Sequence, residues 1–203
     1  MKFNIITPTV QRDSLIKCCE SIDEQTFSDW RHIVMIDHNF RDNEMLREIL
    51  HPRRYVYQCA RPHNNGGNTC RHDAWAFASG EWVYYLDDDN YLASPFALGE
   101  IAHYVEGIEE KWALFPIHRH GSRFYFDPPQ PCYFDTGNAV VRREIARWPN
   151  IDGYASDAVW LEETLKKHPY RAFPEADPIM VMPETSFGKG GGINGQPCVN
   201  THA

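Results

Sequence analysis

The sequence predicts an α/β protein whose mainly parallel β-sheet carries helices on both faces. Short apolar runs rich in strand-forming residues alternate with helical patterns over residues 3–92, and this alternation is typical of parallel sheets with helical connections. Two of the runs lead directly into aspartate, at the strand ends where such sheets bind ligands. The length of 203 residues suits one domain rather than two.

The composition is that of an acidic globular protein. The chain is 42% hydrophobic, which is enough for a core, and its formal net charge is −8. We therefore expect no nucleic-acid partner, because proteins that bind DNA or RNA usually present basic surfaces. If such an acidic protein binds a diphosphate, it needs a cation or a few placed basic groups to offset the charge repulsion.

Neither the cysteines nor the apolar segments indicate a secreted or membrane-spanning protein. The six cysteines lack C-x-x-C spacing and are expected to be reduced; they are Cys18, Cys19, Cys59, Cys70, Cys132 and Cys198. No stretch approaches the ~20 apolar residues of a membrane span, and no signal peptide is evident. We expect a cytoplasmic protein without a transmembrane segment, for which peripheral contact with a membrane acceptor stays open.

The first strand and helix are predicted from an apolar run and a capping signal. Residues 3–7 form a short apolar run, and Pro8 is expected to end the strand because proline lacks a backbone donor. A helix is predicted over residues 15–25, since Asp13 or Ser14 can cap its amino terminus.

The next three elements continue the alternation. Residues 32–36 are strand formers and lead into Asp37. Residues 42–50 have a helical pattern that Pro52 closes off, and residues 55–59 are the third predicted strand.

A loop rich in asparagine and glycine comes before the third predicted helix. Asn68 or Thr69 can cap this helix, which is expected to run to Ala78 and to stop at Gly80. The fourth predicted strand covers residues 82–86 and runs straight into three aspartates.

The second half has a less regular pattern. Helices are predicted over residues 94–106 and 156–167, a strand over 113–117, an irregular hairpin over 123–131, and a short strand ending at 140–141. The tail from residue 186 is glycine-rich and is expected to be mobile.

The three aspartates that end the fourth strand are candidates for a metal site. Asp87, Asp88 and Asp89 would repel one another, and one would tend to take up a proton. Mn²⁺ or Mg²⁺ would remove that cost, because carboxylate and phosphate oxygens are its preferred ligands. Such an ion would also bridge to a diphosphate. The alternative is a solvated acidic turn that ends the strand.

Two further aspartates each allow a structural and a functional interpretation. Asp37 stands where aspartate often begins a turn, but beside Thr7 and Thr9 it is also a candidate acceptor for a base or ribose donor group. Asp157 follows Ser156 at a predicted helix start, where its charge favours the helix dipole. The functional alternative makes Asp157 the general base for an acceptor hydroxyl, and the spacing leaves both interpretations open.

Two other patterns do not indicate the sites they superficially match. His118 and His120 would share one side of a strand, but no third ligand follows at a zinc spacing. They are expected to form an ordinary polar surface or to meet an anionic group. Residues 190–195 match G-x-G-x-x-G without the strand and helix that this fingerprint needs. A flexible lid or a disordered tail is expected there, and Lys189 is a candidate phosphate contact.

These segments together resemble the family 2 glycosyltransferases of the GT-A fold. The most specific part is GEWVYYLDDDNYL at residues 80–92. The other matching segments are IITPT at 5–9, SLIKCCESIDEQTF at 14–27, IVMID at 33–37, RHDA at 71–74, DTGNAVVRREI at 135–145 and GYASDAVWLEETL at 153–165. The resemblance implies one GT-A domain over residues 1–203, with a nucleotide-binding half at 1–92, an acceptor-side half at 93–185 and a mobile tail at 186–203.

The resemblance also implies a function and a set of site residues. The family's enzymes are metal-dependent and typically inverting, and they move a sugar from a nucleoside diphosphate, most often UDP. The acceptor would be a saccharide, a lipid-linked saccharide or a protein glycan. Donor contacts would come from Thr7, Thr9, Asp37, Arg71, Asp87 and Asp88. Asp89 would coordinate Mn²⁺ or Mg²⁺, and Asp157 would be the general base.

Each donor-side residue has an implied role. Thr7 and Thr9 would line the nucleoside pocket, and Asp37 would accept a hydrogen bond from the base. Arg71 would lie near the base or the diphosphate, and Asp88 would contact the ribose or the sugar.

The sequence departs from the family's pattern at two points. Ser156-Asp157 keeps one carboxylate of the usual pair, and Asp87 replaces the usual small spacer, which leaves the division of roles among the three aspartates open. A nucleotidyltransferase is a competing function, but residues 8–13 lack glycine and carry one basic group, Arg12. A non-catalytic domain that binds a sugar nucleotide or a partner is the other alternative, and its function would survive Asp157→Asn.

Overall fold

The computed structural model describes residues 3–37, 43–151 and 156–184, and it confirms the α/β fold. The strands are β1 (Phe3–Thr9), β2 (Trp30–Ile36), β3 (Arg54–Gln58), β4 (Trp82–Tyr85), β5 (Tyr91–Leu92), β6 (Trp112–Leu114), β7 (Ile117–Arg119), β8 (Ser122–Phe124), β9 (Ala139–Arg142), β10 (Tyr170–Ala172) and β11 (Met180–Met182). The α-helices are α1 (Ser14–Asp23), α2 (Asn43–Glu48), α3 (Asn68–Ala74), α4 (Ala97–Val105) and α5 (Ser156–Glu163).

The main sheet has seven strands in the order β10-β6-β9-β4-β1-β2-β3. β1 is parallel to both β2 and β4, β2 is parallel to β3, and β10 is parallel to β6. β9 is antiparallel to its two neighbours, β4 and β6. The prediction of a mainly parallel sheet is therefore confirmed, with one reversed strand inserted next to β4.

Helices cover both faces of this sheet, as predicted. Side chains alternate between the two faces of a strand, and neighbouring residues of β1 and β4 accordingly enter different cores. Ile5 and Tyr84 pack with α1 and α4 in one core, whereas Ile6 and Tyr85 pack with α3 and α5 in the other. None of these four side chains is exposed to solvent, so the strands that carry the site are held from both sides.

The first strand is longer than predicted, because Pro8 does not end it. β1 stays in register with β2 through Pro8 and Thr9, while its pairing with β4 ends at Ile6. The Thr9 carbonyl accepts from Asp37 on the β2 side, and the Ile6 carbonyl accepts from Leu86 on the β4 side. Backbone groups of successive strand residues point alternately to the two neighbouring strands, so the Pro8 nitrogen faces the β4 side. Pairing with β4 has already ended there, so the missing N–H of Pro8 costs no hydrogen bond between strands.

A second sheet of four strands, in the order β5-β11-β7-β8, was not predicted. The strand predicted over residues 113–117 is divided instead between the two sheets. β6 ends at Leu114 and β7 begins at Ile117, with Pro116 between them. β7 and β8 form a tight hairpin in which His120 and Gly121 both have positive φ, 50° and 78°.

The predicted helices are present, but several are shorter than expected. Asp13 stands at the amino end of α1 without a side-chain capping bond, and α3 begins after Gly67, whose φ is 79°. The third helix ends as a 3₁₀ turn at 75–77, and the last one continues as a 3₁₀ turn at 165–167. The start predicted at Asp42 and the tail from 186, with its glycine run and Lys189, lie outside the described residues.

No helix in the described ranges combines the length and the apolar character needed to cross a membrane.

Candidate functional site

A cavity of about 610 Å³ opens at the carboxyl edge of the main sheet. β1, β2 and β4 are parallel neighbours, so the residues that follow them meet at this edge. β9 is antiparallel to β4, so the turn before β9 reaches the same place. The cavity is lined by the aspartates Asp37, Asp87, Asp88, Asp89, Asp135 and Asp157 and by the arginines Arg12 and Arg71.

The structure brings most of the predicted site residues into this cavity. The lining includes Thr9, Asp37, Arg71, Asp87, Asp88, Asp89 and Asp157. Thr7 is not part of it. The Thr7 side chain is fully buried, and its hydroxyl lies 2.9 Å from Nε2 of His32, so it packs beneath the cavity floor rather than on it.

The aspartate triplet is compensated by arginine within the protein itself. Asp87 forms an ion pair with Arg71. One nitrogen of Arg12, Nη1, lies 3.2 Å from Oδ1 of Asp88 and 3.2 Å from Oδ2 of Asp89. Two guanidinium groups therefore offset the repulsion among the three carboxylates, and that repulsion by itself does not require a metal ion.

Asp88 is the most deeply placed member of the triplet. Its Oδ2 accepts a hydrogen bond of 2.6 Å from the Thr9 hydroxyl, and Thr9 in turn accepts from the backbone N–H of Gln11 at 2.8 Å. Burial raises the pKa of Asp88 to about 6, although the Thr9 bond and the Arg12 charge act in the opposite direction. Asp88 is therefore a carboxylate whose charge depends on its cationic and hydrogen-bonding neighbours.

Asp37 holds the asparagine- and glycine-rich loop in place. Its two carboxylate oxygens accept backbone N–H bonds from His63 at 2.9 Å and from Asn64 at 2.8 Å. Asn64 has a φ of 54°, a left-handed conformation that asparagine tolerates better than most residues. Each carboxylate oxygen has a second lone pair, so Asp37 retains capacity to accept a ligand donor.

Arg71 connects the same loop to the triplet. It is buried and donates to the Gly66 carbonyl at 2.8 Å as well as to Asp87. The guanidinium carbon of Arg71 lies 4.9 Å from the centre of the Trp148 ring, and this cation–π contact stabilises the positive charge of Arg71. Its Nε is buried and has no hydrogen-bond partner among the described residues.

The loop comes so close to β1 that one of its glycines is required. A Cβ added at Gly67 would lie 2.8 Å from the Cβ of Pro8. Because φ at this residue is also 79°, a side chain would be both crowded and conformationally strained. Gly67 therefore lets the loop backbone form the cavity wall directly against Pro8.

Two carboxylates stand on the other side of the cavity. Asp157 is the second residue of α5, and its own carboxylate accepts from the N–H of Ala158 at 2.8 Å. Asp135 precedes the turn that leads into β9 and accepts from the N–H of Gly137 at 2.9 Å. Burial raises the pKa of Asp157 to about 6 and that of Asp135 to about 7. The nearby negative charges of Asp87 and Asp157 raise the pKa of Asp135 further.

Sequence reasoning did not single out Asp135, Trp148 or the bridging role of Arg12. In the sequence Arg12 is only the one basic group of its loop, and nothing in the spacing places it against residues 76 and 77 positions away. Asp135 lies in a segment that resembles the family, but its place in the cavity depends on the reversed direction of β9. Trp148 has no local signal at all.

The donor set at the strand end suits a hard cation. Its available ligand atoms are carboxylate oxygens, the ligand type that Mn²⁺ and Mg²⁺ prefer. Within the described residues, Asp37, Cys59 and His63 also bring ligand atoms within 4.8 Å of one another. However, this set includes a thiol and an imidazole, which softer ions prefer, so the all-carboxylate triplet is the better candidate for Mn²⁺ or Mg²⁺.

The comparisons with known proteins point to one family. The sequence pattern of Glycosyl transferase family 2 matches residues 4–169. A relative from Campylobacter jejuni, GalNAc(5)-diNAcBac-PP-undecaprenol β-1,3-glucosyltransferase, is 33% identical over 96 residues, which are 46% of this chain and 31% of that protein. The chain thus spans under one third of that relative in the match.

Solved structures share the fold over nearly the whole chain. S. aureus TarS 1–349 gives a TM-score of 0.73 at 16% identity, covering 90% of this chain and 60% of that one. Mannosyltransferase PcManGT from Pyrobaculum calidifontis, in complex with GDP-Man and Mn²⁺, gives 0.69 at 16% identity, covering 92% and 58%. At these identities the likeness establishes the GT-A fold alone. Because the family pattern covers most of the sequence, the chain belongs to glycosyl transferase family 2.

Proposed function

We propose that this chain transfers a sugar from a nucleoside-diphosphate donor, with UDP favoured, to an acceptor hydroxyl with inversion at the anomeric carbon. The observation that carries the proposal is the single cavity in which the triplet and Asp157 both stand. The triplet follows β4, and Asp157 comes from α5. A donor held at the strand ends would therefore be open to an acceptor from the α5 side.

The donor contacts follow from the chemistry of the cavity wall. Asp37 is the candidate acceptor for a donor group of the base, and Asp88 is placed for the ribose or the sugar. Thr9 supports Asp88 through its 2.6 Å hydrogen bond. Arg71 lines the cavity and carries a positive charge there, which suits an anionic diphosphate. Its partner Asp87 fixes the orientation of the guanidinium.

We propose that Asp89, with its neighbours in the triplet, holds Mn²⁺ or Mg²⁺. The oxygen-only donor set fits such an ion, and TarS and PcManGT share the fold in structures that contain UDP-GlcNAc in one case and GDP-Man with Mn²⁺ in the other. Bound there, the ion would supply positive charge to the departing diphosphate. The Asp89 side chain is 18% exposed, so it is the more accessible carboxylate of the pair that Arg12 bridges.

Asp157 is the proposed general base. The acceptor oxygen attacks the anomeric carbon from the face opposite the diphosphate, and the bond between that carbon and the diphosphate oxygen breaks with its electron pair going to the diphosphate. Asp157 takes the proton of the acceptor hydroxyl. One displacement of this kind inverts the anomeric centre. A pKa raised to about 6 by burial leaves Asp157 ionised at neutral pH and more basic than an ordinary aspartate.

The acceptor class that we favour is a lipid-linked saccharide. The Campylobacter relative carries such a substrate in its name, and saccharide and protein-glycan acceptors are the alternatives. We place the reaction in the cytoplasm, with peripheral contact where the acceptor is membrane-bound.

The first experiment is calorimetric titration of UDP into the protein, with Mn²⁺ and then with EDTA. Binding that needs Mn²⁺ in wild type and is lost in Asp89→Ala is the expected result. GDP provides the comparison for the base. Equal UDP affinity with and without Mn²⁺, in both wild type and the variant, would contradict the metal assignment. The absence of binding by any nucleotide would instead favour a degenerate or partner-dependent domain.

The two competing functions make different predictions at the same cavity. A nucleotidyltransferase would need groups for a triphosphate after β1, where residues 10–13 offer only Arg12 as a cation. A non-catalytic domain would bind UDP but release no UDP from a UDP-sugar, with or without an acceptor. A screen of UDP-sugars for slow hydrolysis therefore separates the transferase from the binding domain.

A further inference from the structure

Arg12 occupies the position in which a cation is most needed. Its Nη1 stands between Asp88 Oδ1 and Asp89 Oδ2, at 3.2 Å from each. The Arg12 side chain is 42% exposed, whereas those of Asp88 and Asp89 are 6% and 18% exposed. The guanidinium therefore covers the two carboxylates from the solvent side.

The same two carboxylates cannot serve Arg12 and a divalent ion equally well. An ion held by Asp89 would stand close to a guanidinium that shares the same oxygen, and two positive charges at short range repel each other. Either the ion binds weakly or the Arg12 side chain moves away. Arg12 is the more exposed partner, so we expect its side chain to be the one that moves.

The backbone around Arg12 is anchored, which confines the movement to the side chain. The Gln11 N–H donates to the Thr9 hydroxyl at 2.8 Å, and the Arg12 carbonyl accepts from the Leu15 N–H at 3.0 Å. Gln11 also has a φ of 61°, in the left-handed region. An arginine side chain rotating on this fixed base stays within reach of a ligand at the strand ends.

We propose that Arg12 is a placeholder cation: it neutralises Asp88 and Asp89 in the donor-free protein and yields them to the divalent metal. Its guanidinium then turns to the diphosphate of the donor. The inference rests on the proposed function, because it takes the triplet as the metal site. Arg12 thus has a positioning role: it balances the charge of the carboxylates before the metal binds, and it couples metal binding to donor binding.

Removing Arg12 should change the affinities for the metal and for the nucleotide in opposite directions. Without Arg12, the metal meets the Asp88 and Asp89 carboxylates without the competing guanidinium, so it binds more tightly. The nucleotide loses one positive group and binds less tightly. A purely structural arginine would change both affinities in the same direction, or neither.

The test measures Mn²⁺ binding in the absence of nucleotide, by electron paramagnetic resonance of the free ion. Arg12→Ala is compared with wild type and with Arg47→Ala, which removes the same charge from an exposed position on α2. We expect Arg12→Ala to lower the Kd for Mn²⁺ by about tenfold, as suits the loss of one nearby like charge, and Arg47→Ala to leave it unchanged. UDP affinity measured at saturating Mn²⁺ should fall in Arg12→Ala only.

The outcomes separate this inference from the proposed function. An Mn²⁺ affinity in Arg12→Ala that equals or falls below that of wild type would overturn the placeholder role. Tighter Mn²⁺ binding with unchanged UDP affinity would overturn the diphosphate contact alone. Mn²⁺ binding that survives Asp89→Ala would instead overturn the metal site of the proposed function. Arg12→Lys, which keeps the charge, should resemble wild type more than Arg12→Ala does.

Discussion

The Thr9 hydroxyl donates a 2.6 Å hydrogen bond to the Asp88 carboxylate, although 79 positions separate the two residues in sequence. The bond joins the end of β1 to the turn after β4 and lies in a buried environment. Thr9 also accepts from the Gln11 N–H, so one hydroxyl fixes both the aspartate and the loop that carries Arg12. The geometry of the cavity floor therefore depends on this single side chain.

Replacing Thr9 by valine should destabilise the protein. Valine has the shape of threonine but cannot donate, so the buried Asp88 carboxylate and the Gln11 N–H each lose a partner. A loss of about 1–3 kcal/mol in the free energy of unfolding is expected, measured by urea denaturation of the metal-free protein. Thr9→Ser keeps the hydroxyl and should retain most of the stability. Equal losses in the two variants would mean that packing of the Thr9 methyl group, and not the bond, is what matters.

Arg71→Lys should weaken UDP binding even though the charge is kept. Arg71 bonds to Asp87 and to the Gly66 carbonyl and lies over the Trp148 ring. A lysine ammonium cannot span these groups or stack in the same way. We expect UDP affinity to fall about tenfold, on the order of one lost charge-assisted contact, in calorimetry with Mn²⁺. The exposed Arg61 supplies the control, since Arg61→Lys should leave the affinity unchanged. A wild-type affinity in Arg71→Lys would show that charge alone is sufficient.

The elements that the sequence predicted are those fixed by local pattern. Apolar runs predict β1 to β4, and glycine, proline and capping residues mark the ends of the helices between them. Asp37 and the triplet could be predicted as site residues because they come directly after such runs. β5 and β11 could not be predicted, because they have two and three residues and pair with each other across more than 80 positions. Short strands of this kind exist only through tertiary pairing.

The part of the site that escaped prediction depends on contacts between distant segments. Pro8 was expected to end β1, but whether a proline breaks a strand depends on which neighbour its nitrogen faces, and that is a property of the sheet. Trp148 lies against the Arg71 guanidinium in the cavity wall, and Asp135 reaches the cavity only because β9 is reversed. Thr7 shows the converse: its position at a strand end suggested a ligand contact, yet its side chain points to His32.

A buried polar network beneath the cavity should be costly to disrupt. The Arg54 side chain is fully buried and donates to Asp23, to the Cys19 carbonyl at 3.0 Å, and to Nδ1 of His32 at 2.8 Å. Since Nδ1 accepts, the proton of neutral His32 is on Nε2, which donates to Thr7. Arg54→Ala removes the buried partner of His32 Nδ1, whereas Asp23, 32% exposed, can turn to water, so the loss should be about 1–3 kcal/mol in unfolding free energy.

Chemical denaturation measures the Arg54 effect, and Arg53 provides a matched control. Arg53 is exposed and lies over the Trp30 ring at 5.0 Å, so Arg53→Ala should cost no more than about 1 kcal/mol. Comparable losses in the two neighbours would contradict a special role for the buried network.

Asp157→Asn should abolish transfer while leaving donor binding nearly intact. The amide cannot take the acceptor proton, so turnover is expected to fall by about 10²–10⁴-fold. UDP affinity should stay within roughly twofold of wild type, the size of effect expected of a substitution that removes no ligand contact. In wild type, burial raises the pKa of Asp157 to about 6, so transfer should rise with pH through that value as the base ionises. Retained turnover in the variant would place the base elsewhere, and a rate independent of pH between 5 and 8 would contradict its assignment.

Asp135→Asn should stabilise the metal-free protein at high pH and have little effect at low pH. Burial raises the pKa of Asp135 to about 7, well above the value of about 3.9 in an unfolded chain. The folded state therefore holds its proton longer, and wild type loses stability as the pH rises from about 4 to about 7. Asparagine does not titrate, and its side-chain oxygen can still accept from the Gly137 N–H. The gain should be on the order of 2 kcal/mol at pH 8 after allowance for partial exposure, and near zero at pH 4.

Asp13→Asn, at an exposed residue without a capping bond, should show no such pH-dependent gain. An Asp135→Asn variant that is equally or less stable than wild type at pH 8 would contradict this prediction. The negative charge of the Asp135 carboxylate would then be offset by other groups in the folded state, and its repulsion with Asp87 and Asp157 would not govern the charge of the acceptor side.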